Sequence, residues 1–528
     1  MKGVTYFQLA EVLGKEENLT LHSDGTSKFG AHYYSFQIST STTSYSLGLA
    51  EMSTGSASHV LETFQQVLSD VELAVGPNTG AIILSKIKNT MSDRHIVEKS
   101  LNQLLEDYRG SVLPELVKSW DQMTPDEQAS MTIMNNFFCG MHLIVGIADV
   151  AASILVQWES SHFEGNPPVQ SKFSHKSESG TVRLIRTACK ALSKHGNEQC
   201  GVYQAFTSYL SSKGIKRNPL ATFRGNRFNI FNLFYDAGAL YYISDLVKAF
   251  FKDVWQTPNQ LLRAVNEDIR VPEYVAGCKA LGLVKKIITG PLWRVLESDV
   301  SILEMNEYFQ ILVTHLDMWA LNAADVLSGE AILFPDFPPS ENAIWQHLTT
   351  PSECDPLVLV ILQILFHAFS AQIARLVDDH LPGGKHDEPA SLLQVQTASV
   401  PKTNVISERD FAKLDRLLRE KPNASTLSLE AMVLFSNNRT ASWLSSKSAD
   451  EIQKLLQQAR TSAPEFKRLY KDRRDQIIKD RAQSLLAKEQ ALQAAREKVI
   501  KEKERLSHEI MQYGLWQTDE DISSGLAK

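Results

Sequence analysis

The sequence predicts an α/β protein in which helix predominates, with a mixed sheet near the start, a large all-helical block and one long helix near the end. Three observations support this. Short runs rich in Thr, Ser, Tyr, Phe and Ile alternate from Asn18 to Ala50, which is typical of strands. Apolar residues recur at three- and four-residue intervals across 179–382, which indicates helices. Strong helix formers run from 465 to 511 without Pro or Gly.

The individual elements follow from local patterns. Residues 18–50 predict two or three antiparallel strands joined as hairpins. The segment 60–75 has helical spacing, and the short apolar run 80–87 predicts a strand. Helical patterns return through Tyr108 and again over 134–158, after the acidic turn "TPDE". The expected order is therefore strands, helix, strand, helix, helix.

Composition shifts divide the chain further. A stretch rich in Gly, Pro, Ser and Thr after residue 382 predicts an exposed connection between the helical block and the end of the chain. The predicted units are a first part of the sheet core at 1–160, an all-helical insertion at 179–382, a linker at 383–405, a return segment completing the core at 406–462, a long charged helix at 463–512 and a tail at 513–528.

Length and charge limit the class of protein. A chain of 528 residues exceeds what one hydrophobic core usually organises, so two or more structural units are expected. The formal net charge of -7 argues against a uniformly basic nucleic-acid binder, so any basic surface must be local. Five scattered cysteines without a CxxC pair suit a reducing compartment, the cytosol or the nucleus.

No targeting or membrane segment is predicted. The first twenty residues lack the long apolar stretch and cleavage site of a signal peptide. The most apolar window, 356–369, is too short to cross a hydrocarbon core of about 30 Å. It predicts a buried helix, and no membrane partner is expected.

Three carboxylates are candidate metal ligands. Asp24 lies where Gly25 favours a turn after the first strand, Asp93 follows the later strand, and Glu430 lies early in a helix. Three converging carboxylates suit two divalent cations, because Mg²⁺ prefers oxygen ligands and two ions clamp the attacking and leaving oxygens of a phosphodiester. Each also has an ordinary interpretation: a turn residue, a helix N-cap, and an acid favoured by a helix dipole.

The order of several motifs resembles the hAT superfamily of DNA transposases. The motifs are "LHSDGTSK", "MSDR" after a strand, "CGMH" at a helix start, "RGNRFN" opening the helical block, and Glu430 after that block. The resemblance spans about 18–456. It implies an RNase H-like core interrupted by a helical insertion, and it implies Asp24, Asp93 and Glu430 as catalytic residues that bind Mg²⁺ or Mn²⁺. DNA is the implied partner, and the nucleus the implied location, with the cytoplasm as a second one.

Three features depart from the family pattern. The chain starts almost at the first strand, so the N-terminal zinc-finger module of the family is expected to be absent. Phe228 stands where the family has Trp, which weakens stacking on an extruded base. Ala431 follows Glu430, whereas Arg usually follows the family's glutamate.

Cys139 and His142 form the CxxH element of "CGMH". Structural zinc needs four ligands, and no second Cys/His pair has a suitable spacing, so no zinc is expected. The two residues are predicted to pack behind the active site as a structural motif.

Basic residues cluster around the start of the helical block. DNA phosphates are the functional interpretation, and a solvated helix face is the alternative. The candidate DNA-binding residues are Arg183, Arg186, Lys190, Arg224, Arg227 and Phe228. The long helix near the end carries a sparse apolar stripe that suits either a short coiled coil, and hence a homo-oligomer, or a solitary charged helix.

Two function classes follow. The first is a transposon-derived protein that cleaves or joins phosphodiester bonds with a divalent metal, in its original or a domesticated role. The second is a catalytically inactive relative that keeps the fold as a scaffold for nucleic acid or protein. Convergence of Asp24, Asp93 and Glu430 is the feature that separates them.

Overall fold

The computed structural model describes residues 1–223, 231–256, 259–387, 391–515 and 517–527. It is mostly helical and contains one five-stranded mixed sheet, in agreement with the predicted α/β class. The strands are β1 (Leu19–Lys28), β2 (Ala31–Ser39), β3 (Ser44–Met52), β4 (Ile87–Ser92) and β5 (Asn135–Phe138).

The strand order is β3-β2-β1-β4-β5. β2 pairs antiparallel with both β1 and β3, whereas β4 pairs parallel with β1, and β5 with β4. The predicted antiparallel hairpins over 18–50 are therefore confirmed. The turn lies later than predicted: β1 runs on past Asp24, and the chain reverses at Phe29 and Gly30, both with positive φ.

The predicted strand at 80–87 is wrong. Its residues form a helix, Thr79–Lys86, and β4 begins where the predicted strand ends. All six β4 residues are buried, although most are polar. Their polar groups are satisfied internally, since the Asn89 amide donates to the Asn18 and Gln396 carbonyls and the Thr90 hydroxyl donates to Asn136. An apolar run in the sequence therefore does not predict this central strand.

The "NNFF" segment within the predicted helix at 134–158 is instead β5, and the helix begins after it. The helices that surround the sheet before the helical block are α1 (Lys2–Leu13), α2 (Ala57–Val75), α3 (Thr79–Lys86), α4 (Ile96–Leu116), α5 (Pro125–Thr132) and α6 (Gly140–His162).

The described part of the predicted helical block contains helices and no strand. They are α7 (Gly180–Leu192), α8 (Tyr203–Ser212), α9 (Phe231–Tyr242), α10 (Ser244–Ala249), α11 (Gln260–Asp268), α12 (Pro272–Val284), α13 (Gly290–Glu297), α14 (Met305–Leu321), α15 (Ala324–Ser328), α16 (Ala343–Thr349) and α17 (Asp355–Leu376). π-helical turns follow α10 at Phe250–Val254 and α12 at Lys285–Thr289.

After the block the chain returns to the sheet. The remaining helices are α18 (Ser391–Gln396), α19 (Val405–Glu420), α20 (Thr426–Asn437), α21 (Thr440–Ser445), α22 (Ala449–Tyr513) and α23 (Asp519–Leu526). The described residues of the predicted linker are not a fully exposed connection: Ser399 and Asn404 are buried against the sheet. α22 starts earlier than the predicted 463, at a capping box formed by Ser448 and Glu451, and it continues through Pro464.

Two large hydrophobic clusters form the interior. One lies around the sheet and combines residues of α1, α2, α4 and the strands with Phe411, Leu429 and Phe466 from the returning segment. The other fills the helical block and begins with Leu143 of α6. α6 begins directly after β5, and its buried residues pack in the core of the helical block. It therefore connects the sheet to that block.

Two helices, α6 and α17, are long and apolar enough by composition to span a membrane. They pack against each other, and their buried faces belong to the core of the helical block. Core helices of soluble proteins pass the same test of length and composition, so these helices are only weak indications of a membrane and are compatible with the prediction of none.

Candidate active site

Asp24 and Asp93 lie at the same edge of the sheet. The parallel pairing of β1 with β4 ends at His22 and Met91, and each aspartate follows two residues later. This register brings both aspartates to the same end of the β1–β4 pairing, with Asp24 inside β1 and Asp93 directly after β4. Two of the three predicted carboxylates therefore lie at the same end of this pairing.

Each aspartate is held by a local backbone hydrogen bond. The Gly25 N–H donates to Oδ1 of Asp24 at 2.7 Å, and the His95 N–H donates to Oδ1 of Asp93 at 2.9 Å. Both side chains are partly exposed. Such bonds fix the carboxylate orientation, which is what a site for a hard cation requires.

Glu430 does not join them. Its Oε2 accepts from Lys2 Nζ at 2.7 Å, and its Oε1 accepts from the Leu49 N–H at 3.4 Å, on the edge strand β3. Leu49 lies in the same row of the sheet as Asp24 but two strands away, which is about 10 Å. Asp93 is one strand farther. The prediction that Glu430 completes the carboxylate set is corrected by this geometry.

The first turn of α19 supplies another carboxylate, Glu408. α19 crosses the sheet face that carries His22 and Asp24. Before Glu408, the Asn404 side chain bonds His22 Nδ1 at 2.9 Å and the Ser23 carbonyl at 3.2 Å. After it, Asp415 lies 3.8 Å from Lys28 Nζ. These two anchors bracket Asp24 along β1, and Glu408 lies between them along α19, one turn after Asn404.

The sequence contained a signal for Glu408. Arg409 follows it directly, which is the Glu-Arg pair expected of the family's glutamate and missing at Glu430. Both glutamates lie early in a helix after the helical block. The tertiary contacts of Asn404 bring the first turn of α19, which carries Glu408, to the sheet face of Asp24.

A fourth carboxylate, Glu98 of α4, is buried behind Asp24. Its Oε2 accepts from the Ser23 hydroxyl at 2.7 Å, and Tyr34 donates to its Oε1. Burial raises the pKa of Glu98 to about 8, and the negative charge of Asp24 acts in the same direction. Glu98 is therefore protonated at neutral pH and adds no charge beside Asp24.

Glu98→Gln should remove part of the pH dependence of stability. In the unfolded chain this carboxyl ionises above about pH 4.3, whereas in the folded protein it stays protonated to about pH 8. The parent protein therefore loses stability as pH rises between these values. Between about pH 4 and above pH 8, the difference in stability should move in favour of the variant by on the order of 5 kcal/mol.

Urea unfolding at pH 5, 6, 7 and 8.5 measures this difference, with the exposed Glu115→Gln on the same helix as the matched control. Parallel pH profiles for the parent and Glu98→Gln would show that Glu98 is ionised in the folded protein.

Cys139 and His142 lie where the sequence predicted, at the start of α6. Cys139 Sγ accepts from the Asn404 N–H at 3.1 Å, so the CxxH element fixes the entry to α19. Burial raises the pKa of Cys139 to about 11, which keeps its thiol protonated at neutral pH. His142 lines a small cavity of about 70 Å³ together with Arg94 and Phe138.

Arg94 connects the site to the helical block. It follows Asp93 directly, and its guanidinium donates to Asp378 at 2.9 Å and to Asp379 at 3.0 Å, just after α17. It also lies 4.3 Å from the centroid of the Phe138 ring. The loop that carries Asp93 is thus fastened to the insertion, a role that the sequence did not indicate.

Two of the predicted DNA-binding arginines are buried and form ion pairs inside the protein. Arg183 is buried and makes a bidentate ion pair with Asp268 at 2.9 and 2.7 Å. Arg186 is also buried and makes two 2.7 Å bonds to Glu178. Phosphate contacts would require breaking these pairs, so both residues are corrected to structural ones.

Lys190 is exposed, with Nζ 5.8 Å from the centroid of the Phe173 ring, and it stays a predicted phosphate contact. It lines a cavity of about 400 Å³ together with His175 and His195. Arg224, Arg227 and Phe228 lie outside the described residues.

Within the described ranges, no group of three or more His, Cys, Asp and Glu side chains is gathered closely enough to hold a metal ion. Asp24, Asp93 and Glu408 are the candidates for such a set of ligands. Comparison with protein-family models and with curated proteins found no match to this chain.

Proposed function

We propose that this protein is a transposase-like DNA-processing protein that cleaves or joins phosphodiester bonds, with Asp24, Asp93 and Glu408 as its metal-binding carboxylates. The observation that carries the proposal is the register of β1 and β4, whose parallel pairing ends two residues before Asp24 and two residues before Asp93. Ligands commonly bind outside the carboxyl ends of parallel strands in α/β sheets.

The donor chemistry fits Mg²⁺ or Mn²⁺. The three candidate ligands offer carboxylate oxygens, which are the ligands that these hard cations prefer. The nearby thiol of Cys139 is buried and protonated, so it does not favour a softer metal. When bound, the divalent cation would stabilise negative charge on the attacking and leaving oxygens of the phosphodiester.

The residues of the chain itself prepare the site. The backbone bonds at Gly25 and His95 orient the two aspartates. Asn404 fixes the first turn of α19 against β1 and so sets the position of Glu408. Burial lowers the pKa of His22 to about 4, so the imidazole is neutral at pH 7 and does not compete for the aspartates as a cation.

The same proposal extends to the fold. A three-stranded antiparallel meander extended by two parallel strands, with a helical block inserted between β5 and α19, supports an RNase H-like core interrupted by an insertion. We propose that this fold derives from a transposon protein. A role in DNA processing would place the protein in the nucleus.

An inactive scaffold derived from a transposase is the second candidate. One observation favours it: the structure does not gather three ligands in the part of the chain that it describes. In this alternative the fold is retained for binding DNA or protein, and Asp24 and Asp93 have only structural bonds.

Nicking of supercoiled plasmid DNA tests the two candidates without knowledge of a target sequence. The full chain is incubated with Mn²⁺, Mg²⁺ or EDTA, and open-circle product is quantified beside DNA binding measured by filter retention. Product with Mn²⁺ or Mg²⁺ but not with EDTA supports the enzyme. Binding without product at any metal concentration supports the scaffold, and absence of both overturns the DNA-directed proposal.

A further inference from the structure

The second half of α22 is a bare helix. Up to residue 481, α22 packs on the core: Phe466 is buried, Arg473 makes a bidentate pair with Asp70, and Arg481 contacts Glu51 at 2.9 Å. From Ala482 to Gln512 every residue is exposed. At 1.5 Å per residue this segment projects about 46 Å from the core.

An apolar repeat runs along the bare segment. Leu485, Leu492, Val499 and Leu506 follow at strict seven-residue intervals, in phase with Ile478 before them. The four side chains are 45–66% exposed. A seven-residue apolar repeat keeps one seam of a helix facing a partner helix in a left-handed supercoil. The repeat therefore indicates a helical partner that packs along the whole projecting segment.

We propose that this partner is a second copy of the chain, paired antiparallel over 482–513. In heptad terms the four apolar residues occupy position d, and Glu489, Arg496 and Lys503 occupy position a. A parallel dimer would place each of these three charges against its own copy in the core of the interface. Like charges held together in this way disfavour the parallel arrangement.

The antiparallel arrangement removes these conflicts. Centred between Glu497 and Lys498, it places a d residue opposite every polar a residue. Leu492 then packs on the aliphatic stem of Lys503 of the second copy, Glu489 faces Leu506, and Leu485 meets Ile510. Every layer of the interface then contains at least one aliphatic side chain.

Charges along the seam are complementary in this arrangement. Glu489 lies next to Lys503 of the second copy, and Lys488 next to Glu509, and each pair occurs twice by symmetry. Glu509 is already held by Arg505 of its own helix at 2.8 Å, which leaves it ordered on that side of the helix. This self-complementarity is the reason to identify the partner as a second copy rather than an unrelated helix.

Sedimentation of the full chain from 0.5 to 100 µM tests the dimer. We expect concentration-dependent self-association that Leu492→Asp weakens at least tenfold, whereas Ala494→Asp, on the opposite side of the same helix, leaves it unchanged. A monomer across the whole range overturns the proposal, and so does equal weakening by both variants.

Cross-linking with a short bismaleimide tests the orientation, in a Cys200→Ser background that removes the exposed native thiol. The double variant Leu485→Cys/Ile510→Cys should cross-link between copies, whereas Leu485→Cys alone should not. Cross-linking of the single variant indicates a parallel pair and overturns the antiparallel arrangement.

Discussion

Asp93→Asn should reduce metal-dependent DNA cleavage by roughly 10³-fold or more while the protein stays folded, because a metal ligand contributes several kcal/mol to the stabilisation of charge in the transition state. Asn is isosteric with Asp, and its side-chain oxygen can still accept from the His95 N–H, which holds the loop in place. The measurement is the initial rate of plasmid nicking with Mn²⁺, and Asp24→Asn is expected to behave in the same way.

The third carboxylate is decided by a matched pair of variants. Glu408→Gln should lose activity to a similar degree, whereas Glu430→Gln should retain the parental rate per folded molecule, since Glu430 binds Lys2 and not the site. The reverse result, activity lost only in Glu430→Gln, would contradict the position assigned from the contacts of α19 and would restore the interpretation from sequence.

Lys2→Met should lower the free energy of unfolding by roughly 3–5 kcal/mol, because it leaves the buried Glu430 carboxylate without its ammonium partner, whereas Asp70 keeps its pair with Arg473. Lys2 Nζ lies 2.8 Å from Asp70 and 2.7 Å from Glu430, and all three side chains are buried. Burial alone would lower the pKa of Lys2, but Glu430 and Asp70 raise it above its ordinary value, so the ammonium stays charged.

Equilibrium unfolding in urea measures the loss. Lys15→Met is the matched control, because Lys15, just after the end of α1, forms an exposed pair with Glu11 that should contribute less than about 1 kcal/mol. The double variant Lys2→Met/Glu430→Gln should recover part of the stability, since it removes one of the two carboxylates left without Lys2. Equal losses for Lys2→Met and Lys15→Met would show that the buried network is not a stabilising one.

Periodicity in the sequence was sufficient for the elements with one buried face. The alternation over 18–50 predicted the meander, and helical spacing predicted the insertion and the long helix. It failed for β4, which is buried on both faces but carries Asn89, Thr90 and Ser92. Asn89 donates to the Gln396 carbonyl, a bond that exists only after the chain returns, whereas Thr90 donates to Asn136 and Ser92 to the Asp93 carbonyl.

Charge was harder to interpret than periodicity. Arg183 and Arg186 resembled a basic surface because their partners, Asp268 and Glu178, lie 85 and 8 residues away along the chain. Arg409 after Glu408 was a local signal for that glutamate, but the Lys2 partner of Glu430 could not be inferred from the sequence. In both cases the deciding information is which distant group lies within about 3 Å, and a single sequence does not contain it.

The free energy of local opening should differ between the two halves of α22. Up to about residue 481 the helix is held to the core by contacts such as Arg473–Asp70 and Arg481–Glu51, so its amides should exchange with deuterium more slowly than those beyond. Residues 482–512 are all exposed in the described structure, and a solitary helix of about thirty residues frays from its free end in microseconds. Protection factors in 482–512 should therefore be small in dilute protein and should rise with concentration, so that hydrogen exchange would report the partner helix directly on the amides it covers.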